Sequence, residues 1–396
     1  MVLAIYAALH VTREIRHYGA HYTQNDLVVF YAWGVYHNLG GNVWTRPPGG
    51  QIRAGLGWHF CNYTPFFVLG FAPLSQLSLE HAYMIWQAIQ LLSLLVALGW
   101  LTRIVTPSLS PVWTVIFVSL ALASVPVEEM IRWGQATGML LLALTLSLYG
   151  SQTRRIPMTG FGLALATLLK LFPGIAIVFF VLRRRWSVIG WTAAFFIVGV
   201  VVSGIHNWID FATVGLFQSR LMPYRHLESS ILATIQSGLA LHDNLRGPRI
   251  VTLAAVLDLG VVAACSWATL KAQDDASCGL AFSLWFTAGV LLSPVAWTHD
   301  VVLVAPLALF TGLVWSREWS DGFSTAPITF WLATAVLAVA FVLSLDRPSA
   351  ISGFWIAISA FVGAVLLLQS CPTNRLAGNG DGVEPSSTAG APPLLA

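Results

Sequence analysis

Charge is what this chain lacks. Asp, Glu, Lys and Arg make up 9% of its 396 residues, against about 25% in an ordinary soluble domain. So few charges cannot cover a water-exposed surface, while 57% of the residues are hydrophobic and the mean hydropathy is +0.74. A soluble globular enzyme and a disordered chain are both excluded; the protein is an integral membrane protein. Lysine is nearly missing, with only Lys170 and Lys271 among 20 basic residues, and the net charge of +3 gives no reason to expect a nucleic-acid partner. Four cysteines, Cys61, Cys265, Cys278 and Cys371, have neither zinc-ligand spacing nor the look of a disulfide framework. The N-terminus shows no basic n-region and no small-residue cleavage site, so it does not read as a signal peptide. Its apolar run, residues 1–11 or on to Ile15, is short beside the ~20 residues of a bilayer crossing.

What is present is a series of apolar segments, at about 64–79, 81–102, 111–127, 133–150, 159–182, 187–206, 250–270, 279–292, 300–315, 327–345 and 351–369. With the N-terminal run they predict an all-α polytopic membrane protein of roughly ten to twelve helices, because lipid leaves no backbone group unpaired. Residues 13–62 and 207–248 are long and polar enough to be loops outside the membrane, and the Gly-, Pro- and Ser-rich residues 371–396 read as a disordered tail. Domain 1–370 is then one membrane unit. Arg103, the pair Arg154 and Arg155, and the triplet Arg183 to Arg185 mark cytoplasmic loops. The last two sets flank segment 159–182, so they share a side only if the chain breaks near Phe172, Pro173 and Gly174 and returns as a re-entrant hairpin. Both long loops then face the exoplasmic side, and most of the unusual polar residues gather there. One wet face suits a membrane-embedded enzyme better than a transporter, which would carry ionisable residues at mid-membrane in both halves.

No dinucleotide fingerprint, P-loop or H-E-x-x-H motif occurs. His17 and His21 are spaced as two ligands on one helix face, but no third ligand accompanies them, and two interfacial histidines are the plainer reading. Asp26 precedes an apolar and aromatic helix. It is suited to cap that helix and also, as a carboxylate beside apolar surface, to act as a general base. Adjacent Glu128 and Glu129 point in different directions on a helix, leaving at least one solvated. Lys170, before the Pro173 break, reads as a structural residue capping a half-helix.

Five segments in order carry a resemblance: NDLVVFYAWGVYHNLGG (25–41), YTPFFVLGFAPLSQL (63–77), WGQATGMLLLAL (133–144), GFGLALATLLKLFPGIAIVFFVLRRRW (160–186) and LLSPVAWTHDVVLVAPL (291–307). Together they resemble glycosyltransferase family 87, GT-C-fold mannosyltransferases of actinobacterial type that use polyprenyl-phosphate-mannose. The third is similar to the family's G-Q-x-N helix start, the fourth to its Lys-x-x-Pro ending and basic loop, the fifth to its S-P-x-S-W-x-H-H stretch. The chain departs from the pattern at Thr64-Pro65 (two prolines in the family), Thr137 (asparagine), Glu228 (asparagine) and Asp300 (the second histidine).

The resemblance implies an inverting transfer at the exoplasmic face of the plasma membrane. The donor is a polyprenyl-phosphate-linked sugar, most simply mannose, and the acceptor a cell-envelope glycolipid or lipoglycan. Asp26 matches the family's first-loop acid and is the expected base; His299 matches the late histidine. Tyr63 and Gln135 are expected at the substrate, and Arg132, Arg220, Arg225, Arg246 and Arg249 are the candidates for the donor phosphate, since guanidinium binds phosphate through two bonds. No cofactor and no metal site is expected, although a divalent ion on Asp26, as in some GT-C enzymes of other families, stays open. An arabinofuranosyl or other hexosyl transferase of the same fold is the near rival. A lipid-linked-sugar flippase is a distant one, resting on Asp258 inside an apolar segment. A scaffold with a decayed site is the third.

Overall fold

The computed structural model describes residues 2–20, 26–44, 61, 63–105, 110–216, 231, 248–293, 298–320 and 350–370. Among them there is no strand. The helices are α1 (Val2–Ala20), α2 (Asp26–Asn38), α3 (Pro65–Phe71), α4 (Leu79–Val105), α5 (Pro111–Leu122), α6 (Val125–Trp133), α7 (Thr137–Gln152), α8 (Ile156–Leu169) and α9 (Ile177–Leu182). They continue with α10 (Trp186–Val202), α11 (Ile205–Asp210), α12 (Pro248–Lys271), α13 (Asp275–Leu292), α14 (Ala305–Ser320) and α15 (Ala350–Ser370). Local chemistry sets the boundaries. Proline occupies the first turn of α3, α5, α6 and α8, where its missing N–H costs nothing. Asp274 and Ser277 exchange bonds in a capping box at the start of α13. Gly134 ends α6 at φ 66°, a conformation that favours glycine, and a Cβ there would come within 2.8 Å of the Leu27 Cβ.

The bundle has two distinct ends. Trp100 of α4 stacks on Tyr149 of α7, and Arg155 lies over the Tyr149 ring, so the ends of α4 and α7 meet the start of α8. Ser151 and Gln152 line one small cavity with Arg183, Arg185, Asp275 and Cys278, and Arg183 donates to the carbonyl of Ala272. Arg155, Arg183 and Arg185 therefore lie at a common end. From there α8 runs antiparallel to α7, the chain breaks after Leu169, and the 3-10 turn Phe172–Ala176 with α9 leads back. Proline at the second position of that turn starts the return. The return is the reversal that the two arginine sets required. α10 then runs parallel to α8, its Gly199 against Leu168.

Three helices are individually long and apolar enough to cross a membrane: Leu79–Val105, Thr252–Lys271 and Asp275–Leu292. The pair α5–α6, bent by 54°, and α10 with the following Ile205–Gly215, bent by 104°, bring the number to five among the described residues. The apolar stretches of α8, Phe172–Leu182, Thr298–Val314 and Ile356–Leu368 are shorter. Among the described residues the backbone interrupts several of these stretches, at Ser124 before Val125-Pro126, after Leu169 and at Gly204, whereas α15 runs unbroken over Ala350–Ser370. The two expected loops also need correction. Within 13–62, residues up to Ala20 belong to α1, and residues 26–38 form α2, the helix expected after Asp26; the start of 207–248 is helical through Gly215, as α11 and a π-helical turn, Phe211–Gly215. The segment 327–345 and the tail 371–396 lie outside the described residues.

Candidate active site

At the end opposite Arg155 and Arg183, residues from all five of the segments singled out in the sequence meet. Asp26 is the first residue of α2. Its Oδ2 accepts a hydrogen bond of 2.6 Å from Gln135 Nε2, and Gln135 Oε1 accepts one of 2.5 Å from the Tyr63 hydroxyl. Gln135 and Tyr63 are both buried, while Asp26 is partly exposed. A buried primary amide can serve as a bridge because it carries a donor and an acceptor on one carbon. Burial first, and then the carboxylates of Asp300 and Asp26, hold the Tyr63 phenol well above its usual pKa, so it stays a donor.

The scaffold under this bridge is unusually well tied. Gly134 lets α6 end in a tight left-handed turn against Leu27, which brings Gln135 to the start of α2. From α4, Trp86 donates to the Gly134 carbonyl at 2.6 Å and Gln87 to the Ile131 carbonyl at 2.8 Å, while Gln90 accepts from the Met139 amide at 3.2 Å. Trp86 and Gln90 meet backbone groups at the ends of α6 and α7, and Gln87 adds a second donor to the Ile131 carbonyl that already accepts from Gly134. Thr64, next to Tyr63, caps α3 by accepting from the Phe67 amide and donates to the Leu168 carbonyl in the last turn of α8. Phe30 meets the Tyr63 ring edge to face and Phe67 lies tilted against it, and Phe71 and Trp86 pack edge to face behind these two rings.

Lys170 enters from the other side. Its Nζ donates to both carboxylate oxygens of Asp300, at 2.9 and 2.8 Å, and lies 5.6 Å from the Tyr63 ring centre and 5.3 Å from that of Phe172. Asp300 is fully buried and Lys170 is 13% exposed. His299 is buried beside them, its Nε2 3.7 Å from Asp300 Oδ2. The 3-10 turn Thr298–Val304 that carries both residues packs on α6, α7 and α13. Asp26, Gln135, Tyr63, Lys170, Asp300 and His299 therefore form one region, with two carboxylates, one ammonium and one imidazole. Such a set can remove a proton from a hydroxyl at Asp26 and present a cation to an anionic group.

A second polar cluster lies behind α6. Glu128 faces His10 at 4.0 Å and the Tyr18 hydroxyl at 3.5 Å; Glu14 is 3.7 Å from His10 and bonded to Arg13. Glu129 is buried and Glu128 half-buried, so neither of the pair is fully solvated. Arg132 belongs to this second cluster and is not brought to the Asp26 bridge: it is 44% exposed and donates to Glu129 at 3.2 Å, with its guanidinium over Tyr18 and Trp133. Arg249 is in the first turn of α12, and its side chain lies outside the described residues, as do Arg220, Arg225, Arg246, Glu228 and His21. Among the described residues, no three His, Cys, Asp or Glu side chains are grouped to hold a metal ion.

Two residues of the region escaped the sequence reading. Lys170 was expected to be structural, and Asp300 only a departure from a motif. The available signal was their joint oddity: one of two lysines in the chain, and an acid where the resembling family has a second histidine.

The model of glycosyltransferase family 87 matches residues 60–294. A polyprenol-phosphate-mannose-dependent alpha-(1-2)-phosphatidylinositol pentamannoside mannosyltransferase of Mycolicibacterium smegmatis is 26% identical over 308 residues, covering 72% of this chain and 69% of that protein. The protein of the same description from Mycobacterium tuberculosis is 25% identical over 295 residues, 72% of this chain and 66% of its own length. A phosphatidylinositol mannoside mannosyltransferase of Mycolicibacterium smegmatis is 26% identical over 337 residues, covering 76% of this chain and 75% of that protein. No solved structure matches the chain.

Proposed function

Because the chain belongs to glycosyltransferase family 87, we propose that it moves a mannosyl group from a polyprenyl-phosphate donor to a hydroxyl of a mannosylated phosphatidylinositol-type glycolipid, with inversion at the anomeric carbon. The relatives named above supply donor and acceptor class. The observation that carries the mechanism is the bond from Gln135 to Asp26, which orients a partly exposed carboxylate at the edge of a buried polar region. The acceptor oxygen bonds to the anomeric carbon as the bond from that carbon to the phosphate oxygen breaks. Asp26 takes the hydroxyl proton, and the electron pair of the broken bond leaves on polyprenyl phosphate. Tyr63 and Gln135 hold the base; His299 is placed for a hydrogen bond to donor or acceptor. The arginines of residues 207–249 are proposed to reach the donor phosphate, and Arg132, engaged by Glu129, is not.

The site is proposed to face the exoplasm. Arg155, Arg183 and Arg185 cluster at the opposite end of the bundle, and short loops rich in arginine stay in the cytoplasm. The test is a lipid-glycan profile of a strain lacking the protein, with transfer from radiolabelled polyprenyl-phosphate-mannose measured on purified wild type and Asp26→Asn. A lost mannosylated lipid, restored by wild type and not by the variant, supports the reading. An unchanged lipid profile, with no transfer in vitro, removes it.

A further inference from the structure

We propose that Lys170 is the ammonium that receives the donor's phosphate, and that Asp300 is its positioning residue, holding Nζ under Tyr63 until the donor arrives. This deepens the proposed function and rests on its donor class. The departing polyprenyl phosphate gains negative charge as the glycosidic bond breaks, and a site that already holds the carboxylates of Asp26 and Asp300 needs a cation for it. Among the described residues, Lys170 is the basic side chain that shares the region of Asp26, Gln135 and Tyr63. Arg132 is bonded to Glu129 in the cluster behind α6.

Three features set Lys170 apart from a merely structural lysine. It stands directly after the last turn of α8, where the chain is extended (φ −152°, ψ 130°), so its long side chain leaves the helix and reaches across to the 3-10 turn of Asp300. Its Nζ donates to both oxygens of a single carboxylate, an arrangement that one phosphate with two oxygens can take over. It also rests on the rings of Tyr63 and Phe172, which guide the ammonium without supplying a hydrogen-bond acceptor that would compete for its protons. Lys271, by contrast, donates to the Leu368 carbonyl at the far end of the bundle and lies over Trp267. The acid at position 300 is then a stand-in for the phosphate: it pairs the buried cation in the resting protein and is exchanged for the ligand.

Thermal denaturation of the purified full-length protein with and without polyprenyl monophosphate in detergent tests this directly, on wild type, Asp300→Asn and the double variant Lys170→Met with Asp300→Asn. A ligand that binds only the folded state raises the melting temperature. Asp300→Asn should melt lower than wild type when empty, because the buried ammonium has lost its partner, yet show a larger rise with polyprenyl monophosphate. The double variant should lose the rise, with affinity about ten- to a hundred-fold weaker than wild type. Equal rises in all three proteins, or no larger rise in Asp300→Asn than in wild type, overturn the assignment of Lys170 and leave the proposed function standing. No rise even in wild type removes the donor class and this assignment with it. Should the double variant fail to assemble, Asp300→Asn against wild type decides alone.

Discussion

Arg132 and Gln135 are three residues apart, yet they are held by different parts of the molecule. Arg132 bonds Glu129, one helical turn back on α6, and its side chain is 44% exposed. Gln135 is buried and bonds Asp26 and Tyr63, which are 109 and 72 positions away. The cluster behind α6 follows the first pattern in part, through the neighbours Arg13–Glu14 and the one-turn pairs His10–Glu14 and Glu129–Arg132. Pairs within one helix turn contribute a few tenths of a kcal/mol and cost little when lost. Bonds that join distant segments fix the relative position of whole helices, so a change at one end is felt at the other.

The strongest way to test this contrast is Asp26→Asn. Asparagine caps a helix as well as aspartate does, so expression and melting temperature should hold. Mannosyl transfer should fall by about 10²–10⁴-fold, the usual loss on removing a general base. Transfer at near wild-type rate would reduce Asp26 to a cap. Next is Gly134→Ala. A Cβ at φ 66° and 2.8 Å from Leu27 strains the turn that delivers Gln135. The strain itself is worth roughly 1–2 kcal/mol, so the melting temperature should fall measurably and transfer with it. Tyr63→Phe removes one donor to Gln135 and leaves the aromatic packing intact. It should cost about 1 kcal/mol, near five-fold in transfer, with the acceptor KM unchanged. Arg132→Ala should matter least, within about 1 kcal/mol for a half-exposed pair and less than a few-fold in donor KM. A ten-fold rise in donor KM there would dissolve the distinction between the two clusters and restore Arg132 as a phosphate contact.

Part of the candidate site was legible. Asp26 stands out by its own place, an acid before an apolar and aromatic helix, whereas Tyr63, Gln135 and His299 are candidates through the resemblance to the family's motifs; the break before Pro173 follows from the two arginine sets that have to share a side. The Lys170–Asp300 pair was not legible, since it closes across 130 positions and no local spacing announces it. Residues 13–20 conceal their helix for a different reason. Arg13, Glu14, Arg16 and His17 look like a loop in a membrane protein, but His10, Glu14 and Tyr18 recur every four residues and form a polar helix face. That face packs on another polar face, the Glu128 side of α6. Hydrophobic periodicity is blind to a helix whose buried stripe is itself polar.

The length of α8 acts as a ruler. Its 14 residues rise about 21 Å at 1.5 Å per residue, short of the ~30 Å hydrocarbon layer. The helix stands on the arginine-bearing end and stops at Lys170, so its turns set the depth at which the ammonium is presented. Each residue inserted between Gly162 and Leu169 would lift that group by ~1.5 Å and swing it by ~100° around the axis. Only a whole number of turns would restore its direction, and then at the wrong height. A single-residue deletion in α8 should therefore be far less tolerated than a substitution there, although no side chain of the site would have been changed.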